Sequence, residues 1–232
     1  MFTHIQRLQD NLVVSSDMRT PLGSIFLEKV ANAELLHNAI LSLVSPDLYL
    51  QGLQAVDRLS EGTVPYERHR NADKWTSVFS ALQVIVNRKT PGHRDQGAAP
   101  MVYDLLTCAG TYTHSVLQVR DLGARFYYNP GTVIALCGKV LLHEVKNWEG
   151  GERICIAHYM RDNVHQCLGL RRPFWPVMDE RYLASMSLRY RAVHGLEVLF
   201  NLLSLTHYIT EITFQIIQQH SLPPLRSFSQ SL

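Results

Sequence analysis

ALQVIVNRKTPGHRDQGAAP, residues 81–100, decides how the rest of the chain is read. Its first part, ALQVIVNR, is dense in large aliphatics, two of them valines, and is too short for a helix, so it reads as a strand. Pro91-Gly92 then makes a corner. If the backbone stays extended past that corner, alternation sends the His93 and Asp95 side chains the same way. A histidine and an aspartate presented together at a strand end are two ligands for a metal with open coordination positions. Alone the pair is weak, because exposed His and Asp are common at turns.

Downstream, the same texture continues. SVLQVRDL, ARFYYNPGTVIALCGKVLLHEV and GERICIAHYM are short apolar runs broken by Gly, Pro and Asn, which predicts strands with tight turns in an antiparallel sandwich or barrel over about 75–165. Upstream the pattern changes. LVVSS is a short β-like stretch, DMRTPLG is turn-rich, and residues 24–59 carry apolar positions at helical spacing, with Ser45-Pro46-Asp47 restarting a second helix. Polar text over 60–74 predicts a loop. Beyond about 177 the sequence becomes helical again and ends in a Ser/Pro-rich tail. The expected fold class is therefore α+β, with a β core, supporting N-terminal helices and a helical C-terminal extension. The expected division is a domain over 1–177 and an extension of unassigned role over 178–232.

Composition narrows the function. With 232 residues, 46% hydrophobic and 18% charged, the chain is long enough and apolar enough to bury a core. A net charge of +2 excludes a strongly basic protein, so any nucleic-acid surface must be local. The four cysteines have no C-x-x-C spacing and fit buried free thiols in a reducing compartment. The N-terminus lacks the apolar core of a signal peptide, and an intracellular protein is expected. Residues 196–217 approach the length of a membrane span, but Glu197, Asn201, His207 and Glu211 interrupt them. No membrane partner is expected there, only an amphipathic packing helix.

A metal at His93 and Asp95 needs a third ligand from another strand. GKVLLHEV supplies His143 at the end of an apolar run, and the Gly150-Gly151 turn leads into Arg153 at the start of the next strand. His-x-Asp, a distal His and a later Arg form the facial-triad pattern of non-haem Fe(II) oxygenases that use 2-oxoglutarate. His93, Asp95 and His143 would hold the iron on one face and leave positions open for 2-oxoglutarate and O2. Arg153 offers a bidentate fork to the far carboxylate of 2-oxoglutarate. Taken singly, each of these residues is more often an ordinary surface or core polar group. In this order, each at a strand boundary, they point to an oxygenase.

Longer stretches carry a resemblance. SLVSPDLYLQGLQAVDRL, WTSVFSALQVIVNRKTPGHRDQGAAPMVYDLLTCAGTY, YYNPGTVIALCGKVLLHEV and GGERICIAHYMRDNVH are similar to the fungal branch of the TET/JBP family, Fe(II)/2-oxoglutarate dioxygenases that oxidise methylated bases. The NR-x-T-x-x-H-R-D segment and the MRDNVH ending are more specific than the triad. The resemblance implies a double-stranded β-helix (jelly roll) that binds DNA and flips a base into its pocket. It implies Fe(II), 2-oxoglutarate and O2 as cofactors, with His93, Asp95 and His143 as catalytic iron ligands and Arg153 as the clamp. Arg88, in the same NR pair, would help hold the cosubstrate, and Asn87 would line the substrate side; either could equally serve only to order the turn.

If Arg153 points inward, alternation sends Cys155, Ala157, Tyr159 and Arg161 inward too. Tyr159 could then stack on an extruded base while Arg161 or Asp162 reaches its polar edge; a packed aromatic beside a surface ion pair explains the same residues. 5-Methylcytosine is the family's usual substrate and would give 5-hydroxymethylcytosine. N6-methyladenine would instead give a hemiaminal that collapses to adenine and formaldehyde. DNA carrying methylated bases is thus the expected partner, and the nucleus the expected location. YERHRNADK over 66–74 and the segment from Arg161 through Arg172 to Phe174 and Trp175 are candidate DNA contacts. Two rivals stand beside this reading: an oxygenase acting on protein or a small molecule, and a silent binding module that keeps the fold.

Overall fold

In the computed structural model, residues 5–8, 11–61, 66–67 and 70–173 are described. The boundary expected at 177, the extension over 178–232, the 196–217 segment, and Phe174 and Trp175 lie outside them. The chain opens with a small sheet in which β1 (Ile5–Leu8) pairs antiparallel with β2 (Asn11–Val14). Two helices follow, α1 (Pro21–Val44) and α2 (Pro46–Glu61), and then β3 (Tyr66–Glu67), which joins β2 in parallel. No described helix is long and apolar enough to cross a membrane.

The core strands are β4 (Ala81–Val86), β5 (Thr90–His93), β6 (Asp104–Gly110), β7 (Val116–Val119), β8 (Ala124–Tyr127), β9 (Val133–Leu136), β10 (His143–Val145) and β11 (Arg153–Tyr159), with α3 (Asp162–Cys167) closing the described chain. They form two four-stranded sheets, ordered β4-β11-β6-β9 and β5-β10-β7-β8, and every core pairing is antiparallel. This is the expected α+β double-stranded β-helix with N-terminal helices.

Alternation explains how one sheet serves two layers. On β11, Ile154 and Ile156 pack with Phe26, Leu27, Val30 and Ala33 of α1 on the outer face. The residues between them, Arg153, Cys155, Ala157 and Tyr159, face the space between the sheets. That space is closed by Leu106, Cys108, Leu117, Val119, Tyr128 and Val145. β6 is buried along nearly its whole length because both its faces are covered. α2 comes so close that a Cβ on Gly52 would lie 2.6 Å from the Val78 carbonyl oxygen and 2.9 Å from the end of Met160.

The structure corrects several boundaries. α1 starts at Pro21, inside the stretch read as a turn, because Thr20 Oγ1 accepts from Gly23 N (3.0 Å) and Pro suits the first helical turn, where its missing N–H costs nothing. α2 runs on to Glu61, and residues 70–74 form a 3-10 turn rather than an open loop. β10 begins at His143 instead of ending there, since the Val140 and Leu141 N–H groups turn back to Cys137 O at 3.0 Å. All four cysteines are free; Cys108 and Cys155 are buried, Cys137 and Cys167 only half-buried.

Candidate active site

The β5–β10 pairing sets His93 directly across from His143, with ring centroids 4.3 Å apart. Asp95 lies just past the end of β5, where its N–H bonds Gly138 O at 2.9 Å. The two imidazoles are held alike: His93 Nδ1 meets Pro91 O and His143 Nδ1 meets Leu141 O, both at 2.9 Å. A carbonyl can only accept, so both Nδ1 atoms carry the proton and both Nε2 atoms turn a lone pair inward. His93 Nε2 is 3.3 Å from Asp95 Oδ1, and His143 Nε2 is 3.6 Å from Asp95 Oδ2. These three ligand atoms fit an Fe(II) ion: two neutral imidazoles and one carboxylate converge on one side, and the other side opens into a cavity of about 300 Å³.

The loops that carry the ligands are tied together from outside. Arg94 donates from Nε to Val140 O (2.8 Å) and from Nη2 to Asp121 (2.9 and 3.1 Å), while Asp121 Oδ2 accepts from Leu142 N at 2.6 Å. Inside, Asp104 is buried against Asp95, and desolvation followed by the Asp95 charge pushes its carboxyl well above the ordinary range. Asp104 does not stand out in the sequence. Its only signal was a charged residue at the head of an otherwise apolar strand.

Arg153 is 2% exposed, yet it has no carboxylate partner among the described residues. Its guanidinium lies 5.4 Å from the Tyr128 ring and 5.7 Å from the Trp148 ring, with one long hydrogen bond to Arg88 O (3.4 Å) and Nε without a partner. A buried cation with so little compensation calls for an anion. The distal carboxylate of 2-oxoglutarate would supply one. Tyr128 and Trp148 were not foreseen.

Arg88 lines the same cavity. Asn87 does not: its φ is 49°, its N–H bonds Arg153 O, and its Oδ1 accepts from Arg153 N, both at 2.8 Å. The structure directs this amide to the Arg153 backbone rather than to a substrate, which Asn suits because it tolerates the left-handed region. Tyr159 and Arg161 line the cavity, the guanidinium 5.5 Å from the Tyr159 ring. Asp162 lies off the cavity lining, engaged by Arg172 at 2.6 and 3.0 Å. That ion pair leaves it poorly placed to reach a base.

Fold and site together define the class, a 2-oxoglutarate-dependent dioxygenase that uses Fe(II) and O2. Residues 9–162 match the Tet_JBP family, described as the oxygenase domain of the 2OGFeDO superfamily, and the chain belongs to that family. Among solved structures it is similar to NgTET1 in complex with 5mC DNA, with a TM-score of 0.53 and 16% identity, over 78% of this chain and 66% of that one, just under two thirds. No curated protein matches the sequence.

Proposed function

We propose that this chain oxidises the methyl group of a methylated base in DNA, 5-methylcytosine being the substrate and 5-hydroxymethylcytosine the first product. The uncompensated Arg153 guanidinium beside the three ligand atoms carries the oxygenase part of this reading. The DNA part is supported by family membership and by the 5mC DNA held by the structural relative.

Each residue then has a definable task. His93, Asp95 and His143 would hold Fe(II), which with 2-oxoglutarate and O2 supplies the oxidant that turns a methyl into a hydroxymethyl, releasing succinate and CO2. Arg153 binds the far carboxylate, with Arg88 at its side. Leu106, Leu117 and Val145, packed with Tyr128, give that cavity apolar walls, and low-dielectric walls strengthen an Arg153–carboxylate attraction. At the other end Tyr159 offers a ring for an extruded base to stack on, and Arg161 offers donors to its polar edge. Arg171, which is exposed, is available for phosphate contact, whereas Arg172 is engaged by Asp162. Nuclear residence follows from a DNA substrate and is checked with a fluorescent fusion.

The test gives the purified chain Fe(II), 2-oxoglutarate and duplexes carrying either 5-methylcytosine or N6-methyladenine, with His93→Ala/Asp95→Ala as control and mass spectrometry of the bases as readout. Oxidised cytosine absent from the control is the expected result. Restored adenine in its place would move the specificity to N6-methyladenine. Succinate without either product would move the substrate to another class of molecule.

A further inference from the structure

Behind the β4-β11-β6-β9 sheet lies a second cluster that the iron site does not use. Glu34 and His37, three apart on α1, face His158 of β11, and all three are buried: 3%, 0% and 0% exposed. His158 alternates with Ala157 and Tyr159, so it points away from the cavity and toward the helix. Ligand atoms from the three residues lie within 4.8 Å of one another. Glu34 Oε1 is 2.7 Å from His158 Nε2 and 3.5 Å from His37 Nδ1.

The outer nitrogens of the two rings rest on the same strand. His37 Nε2 is 2.9 Å from Thr107 Oγ1, and His158 Nδ1 is 3.4 Å from Leu105 O. That is the support a metal-bound imidazole receives: one nitrogen donates to an oxygen behind it, and the other points its lone pair at the ion. Meanwhile two fully buried atoms inside the cluster, His37 Nδ1 and Glu34 Oε2, have no hydrogen-bond partner. A proton shared between Glu34 and His158 leaves Glu34 Oε2 orphaned and His37 Nδ1 with only the long 3.5 Å approach to Glu34 Oε1. A buried orphan of this kind calls for an explanation, and a missing ion is one of the few available.

We propose that Glu34, His37 and His158 form a structural zinc site, separate from the iron site and on the opposite face of the sheet. His37 Nδ1, His158 Nε2 and the Glu34 carboxylate supply three converging donor groups, all of them buried, which suits an ion held for structure rather than exposed to substrate. Ligand distances of about 2.0–2.2 Å need only small movements from the separations observed. Glu-x-x-His on one helix face is a spacing that metal sites use. The ion would fasten α1 to the sheet that carries Arg153. This inference does not depend on the proposed substrate.

The test uses the full chain carrying His93→Ala/Asp95→Ala, so that bound metal reports the second site alone. Protein made in zinc-supplemented medium is desalted, then examined by elemental analysis and zinc-edge X-ray absorption. The expected result is a single equivalent of zinc with imidazole and oxygen neighbours and no sulfur. Chelation should lower the melting midpoint by roughly 5–10 °C, and added zinc should restore it. Further substitution of His37→Gln or Glu34→Gln should remove both the zinc and the chelator effect. Folded protein that holds no metal and melts unchanged in chelator would overturn the proposal. Zinc held undiminished after those substitutions, or bound through sulfur, would overturn it as well. If the variants fail to fold, the absorption spectrum and chelator response of the parent protein decide.

Discussion

Gly138→Ala is the sharpest probe of the iron-binding corner. Gly138 follows β9, and its carbonyl oxygen holds the Asp95 N–H at 2.9 Å. A Cβ there would sit 2.7 Å from Asp104 Oδ2, 3.0 Å from Asp95 Cγ, and closer still to Asp95 Oδ2. Asp95 has little freedom to give way, with its own N–H pinned to Gly138 and Asp104 buried on the crowded side. Its carboxylate must swing by about 1 Å, and a displacement of that size at a reacting centre costs on the order of a hundredfold in rate. That corresponds to about 2.7 kcal/mol. The global fold should barely notice, because the Asp95 side chain is 34% exposed and outside the apolar core. The assay pairs Fe(II) titration with succinate release, alongside thermal melting. Gly123→Ala serves as control: its φ is +60° and nothing lies within 4 Å of its added Cβ. It should lose about 1 kcal/mol of stability through backbone strain and keep its iron. If Gly138→Ala held iron and released succinate within roughly threefold of the parent, the reasoning about this corner would be wrong.

Other outcomes follow from single contacts. Arg153→Lys keeps the charge and loses the fork, so the KM for 2-oxoglutarate should rise about tenfold or more while Fe(II) binding is unchanged. Gly52→Ala pushes α2 off Val78 and Met160 and should cost about 1–3 kcal/mol, or several degrees in the melting midpoint, with the site intact in the cold. Burial pushes the His165 imidazole down from 6.5 to about 4. Between those values the unfolded chain takes up a proton that the folded chain refuses, so stability is complete above pH 6.5 and falls as pH drops toward 4, by about 3 kcal/mol. Denaturant midpoints across that range should show the slope, and His165→Gln should flatten it.

The strand pattern carried most of what the sequence could reveal. Period-two alternation along GERICIAHYM places Arg153, Cys155, Ala157 and Tyr159 on one face, and the structure lines the cavity with all of them. Hidden from sequence was whatever depends on two segments meeting. Asp104 is pushed above the ordinary carboxyl range first by its burial and then by the Asp95 charge, which arrives from another loop. Asn87 sat in a motif that suggested substrate, yet its amide is taken by the Arg153 backbone across the β4–β11 pairing. Nothing in the sequence sets Glu34 and His37 apart from other polar positions on a helix, and only the approach of His158 makes them a cluster. The start of α1 was legible in principle, since Thr20 and Pro21 are good capping residues; a turn-rich composition outweighed them.

β11 has one consequence for how this gene can change. Its odd positions present an arginine to the cavity, and its even positions present a histidine to the helix. A single-residue insertion or deletion within Arg153–Tyr159 would exchange the two sets, driving the guanidinium under α1 and isoleucines into the cavity. Repacking repairs neither mistake, because the first buries a guanidinium against Phe26, Leu27 and Val30 and the second takes the arginine out of the cavity. Length variation among related genes should therefore collect in exposed turns such as Lys146-Asn147, and the seven codons of this strand should vary only by replacement.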